Sequence, residues 1–205
     1  MDWRETADHQ RARFDEATTD VLRGNAAYGA GLALLMAAEA AEAQVWLARA
    51  AERWRASWND ATPTSWGRPI GVVKALMLAG DDAAAADASE WALSLGCEVA
   101  ESPIGRYAAA LALLVLGRDA DARHAANAIR ERDDFPRDVA DALAFIAAAD
   151  VIAYIEAIES VLESFESRDR YLEDVAVADT VLVLQRLAER RGIAAELPDS
   201  PLLPA

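Results

Sequence analysis

Lysine is almost missing from this chain. Lys74 is the only one in 205 residues, and arginine supplies every other basic side chain. Together they number 20 against 35 aspartates and glutamates, a formal net charge of −15. So acidic a chain does not neutralise phosphates, which excludes general nucleic-acid binding. An anionic membrane surface repels it too. A single cysteine, Cys97, excludes an intrachain disulfide and, in the setting Leu95-Gly96-Cys97-Glu98, reads as a buried inert thiol. The two histidines, His9 and His124, lie far apart, and neither His-Glu-x-x-His nor Cys-x-x-Cys occurs, so a common zinc site is excluded. Lys74 follows Val73 rather than glycine, so there is no phosphate-binding Gly-Lys loop; Gly29-Ala30-Gly31 begins a dinucleotide pattern that Leu34 breaks. No Gly-x-Ser-x-Gly elbow occurs. Cys97 with His124 is the one nucleophile pair the composition allows, and it is not favoured. No catalytic residue, no metal site and no cofactor are expected.

Long apolar runs are lacking as well. The longest uncharged stretch, Gly24 to Ala38, is short of the roughly 20 residues that span a bilayer. Met1-Asp2-Trp3-Arg4-Glu5 shows no apolar run, so no signal peptide is expected and the location is read as cytoplasmic. Hydrophobic residues nonetheless make up 54% of the chain, too many for a disordered one, and alanine alone is roughly a quarter. The apolar content is therefore small and helix-forming. Near-absence of lysine with abundant Asp, Glu and Ala resembles the composition of proteins from salt-loving microbes. The acidity then has two readings, a solvated coat that keeps the chain soluble and a surface for a basic partner.

No segment alternates like an exposed strand, and even Val181-Leu182-Val183-Leu184 lies in a helical context. The chain reads as all-α with about ten helices. A polar helix is expected over 4–22, broken at Gly24-Asn25, then helices over 26–38 and 41–58. Ala43, Trp46, Leu47, Ala50, Trp54 and Trp58 make one inward stripe on the last of these. Pro69, Pro103 and Pro136, spaced by 34 and 33, each open an apolar helix, with Ser102 placed to cap the second. Each of these helices ends at a short acidic break and is followed by another, over about 83–95, 119–131 and 151–167. The acidic residues favour the positive ends of the following helices. A last helix over about 175–190 stops at Arg190-Arg191-Gly192, and the tail from Pro198 to Pro204 is expected to be extended with its leucines against the final helices.

A helix–turn–helix unit recurring about every 34 residues resembles the tetratricopeptide repeat. Gly31, Ala43 and Ala50 fall at that family's three small-residue positions in the first hairpin, Ala85 and Ala92 at two in the second, and Gly117 and Ala122 in the third, where Ile129 replaces the other. The full pattern of Trp, Leu, Gly and Tyr in the first helix is mostly missing. The resemblance covers about 24–167. It implies a right-handed superhelical stack of antiparallel hairpins, with a concave face that binds a protein or peptide and no chemistry. On that view 1–23 caps one end, 24–167 forms the hairpins, and 168–205 supplies a capping helix and tail, all in a single domain.

Candidate binding residues follow from this layout. Five of the six tryptophans lie between Trp46 and Trp91. Most fall on core stripes, but Trp66 sits in the loop Thr64-Ser65-Trp66-Gly67-Arg68, where function concentrates. Trp66 and Arg68, with Tyr28, Lys74, Arg106 and Tyr107 on the expected concave face, are the candidate partner-binding set. Glu156, Glu159, Glu163 and Glu166 form an acidic ridge beside the apolar stripe Val151, Ile155, Ile158, Leu162 and Phe165, either a solvated shoulder or a dock for a basic partner. Asp134, Asp138 and Asp141 share one expected helical face, with cation-binding spacing but the ordinary look of an acid-rich helix start. The leading functional reading is a non-catalytic helical module that binds a protein or peptide. The alternatives are an acidic immunity-type protein that neutralises a basic toxin, and an all-α small-ligand binder or enzyme using the tryptophan-rich region. Monomer and homodimer both remain open.

Overall fold

A computed structural model describes residues 2–204. Among them are ten α-helices and no strand: α1 (Trp3–Glu16), α2 (Asp20–Met36), α3 (Ala40–Ser57), α4 (Gly67–Ala79), α5 (Asp82–Ser94), α6 (Pro103–Val115), α7 (Asp119–Arg130), α8 (Arg137–Ala148), α9 (Val151–Glu166) and α10 (Asp179–Glu189). Side-chain caps set several starts. Asp2, Thr19, Asp81, Ser102 and Asp150 each accept a hydrogen bond from a first-turn N–H of α1, α2, α5, α6 and α9. Pro103 occupies the first position of α6, Pro136 the cap of α8, and Pro69 the first turn of α4. Gly80 and Gly117 take φ of 75° and 70° at the turns after α4 and α6, a conformation that costs glycine nothing. No described helix is long and apolar enough to cross a membrane.

The first break is not where the glycine suggested. α1 ends at Glu16, Thr19 caps α2 through Leu22 N at 3.3 Å, and α2 runs straight through Gly24 and Asn25. Gly24 is there for packing: a Cβ at that position would lie 2.5 Å from Cδ1 of Trp54 on α3. Asn25 completes the contact by accepting from Trp54 Nε1 at 2.9 Å. Two turns further on, a Cβ on Gly31 would lie 2.6 Å from Cγ of Leu47. The small residues thus let α2 and α3 approach closely, and Ala43 and Ala50 on the facing helix are fully buried. The last helix also starts later than expected, at Asp179, because residues 175–178 are drawn into the tail: Ala178 N donates to Leu202 O at 3.0 Å and Leu202 is buried.

Each helix from α1 to α9 packs on its neighbour in sequence, and α4, α6 and α8, the first helices of successive hairpins, also pack on one another. Alanine is the commonest residue in the core between them, which is filled out by Leu47, Met77, Leu113, Ile129 and the rings of Trp46, Trp54 and Tyr154. α10 then lies against α4, α8 and α9 and buries Val181, Val183, Leu184, Leu187 and Ala188 there.

Gly24→Ala tests the close approach of α2 and α3. Relieving a helical glycine of its backbone entropy ordinarily gains up to about 1 kcal/mol. Here the methyl meets the Trp54 ring, and overpacking of this kind costs about 1–3 kcal/mol. Urea unfolding should show a net loss; a gain would contradict the packing.

A cleft beside a buried ion pair

Lys74 sits midway along α4 among Val72, Val73 and Ala75, all buried, and is itself only 8% exposed. An ammonium so placed costs several kcal/mol unless an anion meets it. The anion is Asp179, the first residue of α10, 7% exposed. Its Oδ2 accepts from Lys74 Nζ at 2.5 Å and from the Tyr28 hydroxyl of α2 at 2.8 Å. Lys74 Nζ also donates to Thr180 Oγ1 at 3.0 Å. Burial by itself would raise Asp179 and lower Lys74; the opposite charges and the hydrogen bonds between the groups together outweigh it, so the carboxyl is held below its usual range and the ammonium above. Burial and the Asp179 charge together push the Tyr28 hydroxyl well above the ordinary tyrosine range.

This cluster floors an open cleft of about 370 Å³. Val21, Trp54, Ile70 and Leu172 supply apolar walls, and Asn25, Gly67 and Arg68 stand among the lining residues. Gly71 belongs to the wall because a Cβ on it would lie 2.7 Å from the Trp54 ring. The size falls in the range of small-ligand sites, and the lining is mostly apolar with a few polar groups, as such sites are.

Of the residues singled out from sequence, Tyr28, Arg68 and Lys74 come together here. Tyr107 is buried and stacks near Phe135, centroids 5.4 Å apart; it lies near Lys74 and Asp179 without lining the cleft, and burial raises its hydroxyl. Trp66 is not an accessible loop residue. It is 7% exposed, packs 6.0 Å from Trp58, and fits against Gly105, where a Cβ would lie 2.9 Å from its Nε1. The chain closes over it because α6 has no side chain at that point. Arg106 is also elsewhere, its Nε donating to Ala100 O at 2.7 Å. Glu156, Glu159, Glu163 and Glu166 are exposed along α9, and Glu166 accepts from Ser200 Oγ at 2.7 Å.

The aspartate trio does not share a helical face, because α8 starts at Arg137 and leaves Asp134 outside it, paired with Arg132. Asp141 is paired with Arg130 and Arg137. No cluster of three or more His, Cys, Asp or Glu that could hold a metal ion occurs among the described residues. Cys97 is fully buried, and burial pushes its thiol up to about 11; His124 is exposed on α7, so the two make no nucleophile pair.

No protein-family model, curated protein or solved structure matches the chain. Function has to be read from the site rather than from kinship. Sequence reasoning missed Asp179, Asn25 and Trp54 as parts of it. One signal for Asp179 was present: an acid between Val177-Ala178 and Val181, in a chain whose only lysine lies in an apolar run.

The pair sets the pH dependence of folding. Asp179, depressed in the fold, contributes fully above the unfolded aspartate value of about 3.9 and less as pH falls through its lowered value. Lys74, raised in the fold, contributes fully below about 10.4 and less as pH rises beyond it. The stability difference between the wild type and Asp179→Asn should therefore be level through neutrality and shrink below about pH 4. A difference that stays constant into acid, in urea unfolding, would contradict the assignment.

Proposed function

We propose that this chain is a non-catalytic binding module for a protein or peptide, and that the cleft between α2, α4 and Leu172 receives an apolar group of that partner. One observation carries the reading: an open apolar cleft whose buried ionisable groups, Lys74, Asp179 and Tyr28, already satisfy one another. Acid–base catalysis at neutral pH needs a group tuned toward 7. Here the tuning runs the other way, with Asp179 shifted down and Lys74 and Tyr28 shifted up. A binding role also agrees in kind with the helical-hairpin resemblance, though on this reading the site lies beside the end of α10 rather than along an open groove.

The exposed glutamates of α9 favour a second reading, an immunity-type protein that holds a basic toxin on its acidic ridge. Gly67→Phe separates the two. Gly67 lines the cleft and a Cβ on it meets nothing within 4 Å, so a ring is accommodated at the cleft mouth without disturbing the core. Affinity capture at physiological salt should retain a stoichiometric partner on the wild type and at least fivefold less on the variant. Equal retention by both, abolished in molar salt, would overturn the cleft reading in favour of the ridge.

A further inference from the structure

We propose that the cleft recognises a free peptide C-terminus whose last residue is apolar; this deepens the binding reading above and rests on it. The polar inventory points to a ligand that accepts hydrogen bonds. The carboxylate and amide oxygens in the lining are engaged, Asp179 by Lys74 and Tyr28 and the Asn25 carbonyl by Trp54, and Ser65 Oγ is paired with Thr62 Oγ1. Donors on Arg68 and Asn25 are not. Arg68 gives only Nη1, to the Ser57 carbonyl, which leaves Nε and Nη2 without a partner among the described residues. Asn25 keeps its amide donors. Arg68 also has no carboxylate partner among the described residues, whereas Lys74 is neutralised by Asp179. The net demand of the cleft is one anionic acceptor beside an apolar group, and a planar guanidinium with two free N–H positions suits a carboxylate.

The rim decides in favour of a peptide over a small acid. Leu172 lines the cleft yet is 51% exposed. An isolated small acid leaves it uncovered, whereas the residues preceding a C-terminus continue outward and cover it. The bound terminus places its carboxylate at Arg68 and its last side chain between Trp54 and Ile70.

The test uses the full chain and N-acetyl-trialanyl-phenylalanine as the free acid and as the C-terminal amide, with 3-phenylpropanoate as the small acid, titrated by calorimetry. The free-acid peptide should bind at least tenfold more tightly than its amide and than 3-phenylpropanoate. Arg68→Gln should remove the acid-over-amide preference, bringing acid binding down to the level of the amide. Because acid and amide are compared on the unaltered protein, the result does not depend on how the variant folds. Equal binding of acid and amide, with Arg68→Gln without effect, overturns the C-terminal inference and leaves the cleft as a binding site. Equal binding of 3-phenylpropanoate and the peptide acid makes the ligand a small carboxylate and also overturns it. No binding of any probe at millimolar concentration overturns both the inference and the cleft reading.

Discussion

A single charge buried in an alanine-rich core constrains three distant parts of this chain. Lys74 lies on α4 with apolar neighbours, and the low dielectric around it makes an unpaired ammonium untenable. Asp179, 105 residues later, answers it, and Tyr28 on α2 supplies a second donor to the same carboxylate oxygen. α2, α4 and the start of α10 therefore meet at one point. From there α10 packs against α4, α8 and α9. The cleft lies beside this ion pair, so the interaction that ties the helices together also shapes the candidate site.

The same core explains where the glycines stand. Alanine fills space between helices, and two of the buried tryptophans sit where a glycine leaves room for the ring. Gly24 and Gly71 leave it for Trp54, from opposite sides, and Gly105 leaves it for Trp66. Trp54 then does two things: it packs α3 onto α2 and α4, and its ring walls the cleft. Packing density of this kind leaves little room to shift, which keeps the cleft formed in the absence of any ligand.

Helices were legible because their signals are local. Periodic apolar stripes, proline in a first turn and capping Ser102 act over a few residues, and those elements lie within a residue or two of where the sequence puts them. The exceptions have a non-local cause. Gly24 reads as a break until Trp54 is seen to need it, and 175–178 reads as helix until the tail pairs with Ala178. The site was half legible for the same reason. Tyr28, Arg68 and Lys74 stood out by type, but Asp179 looks like one acid among 35 until tertiary packing sets it against the only lysine. Trp66 misled because a loop tryptophan suggests exposure, and only the missing side chain at Gly105 allows it to be buried.

The central claim is that Lys74 and Asp179 act as a unit holding α10 in place. A double-mutant cycle measures that directly, using urea unfolding of Lys74→Met, Asp179→Leu and the pair. Breaking a buried ion pair leaves an unpaired charge and costs about 3–5 kcal/mol, whereas removing both charges costs far less. The account predicts single-variant losses that greatly exceed the loss in the double variant, with a coupling of about 2 kcal/mol or more. Additive losses would contradict it.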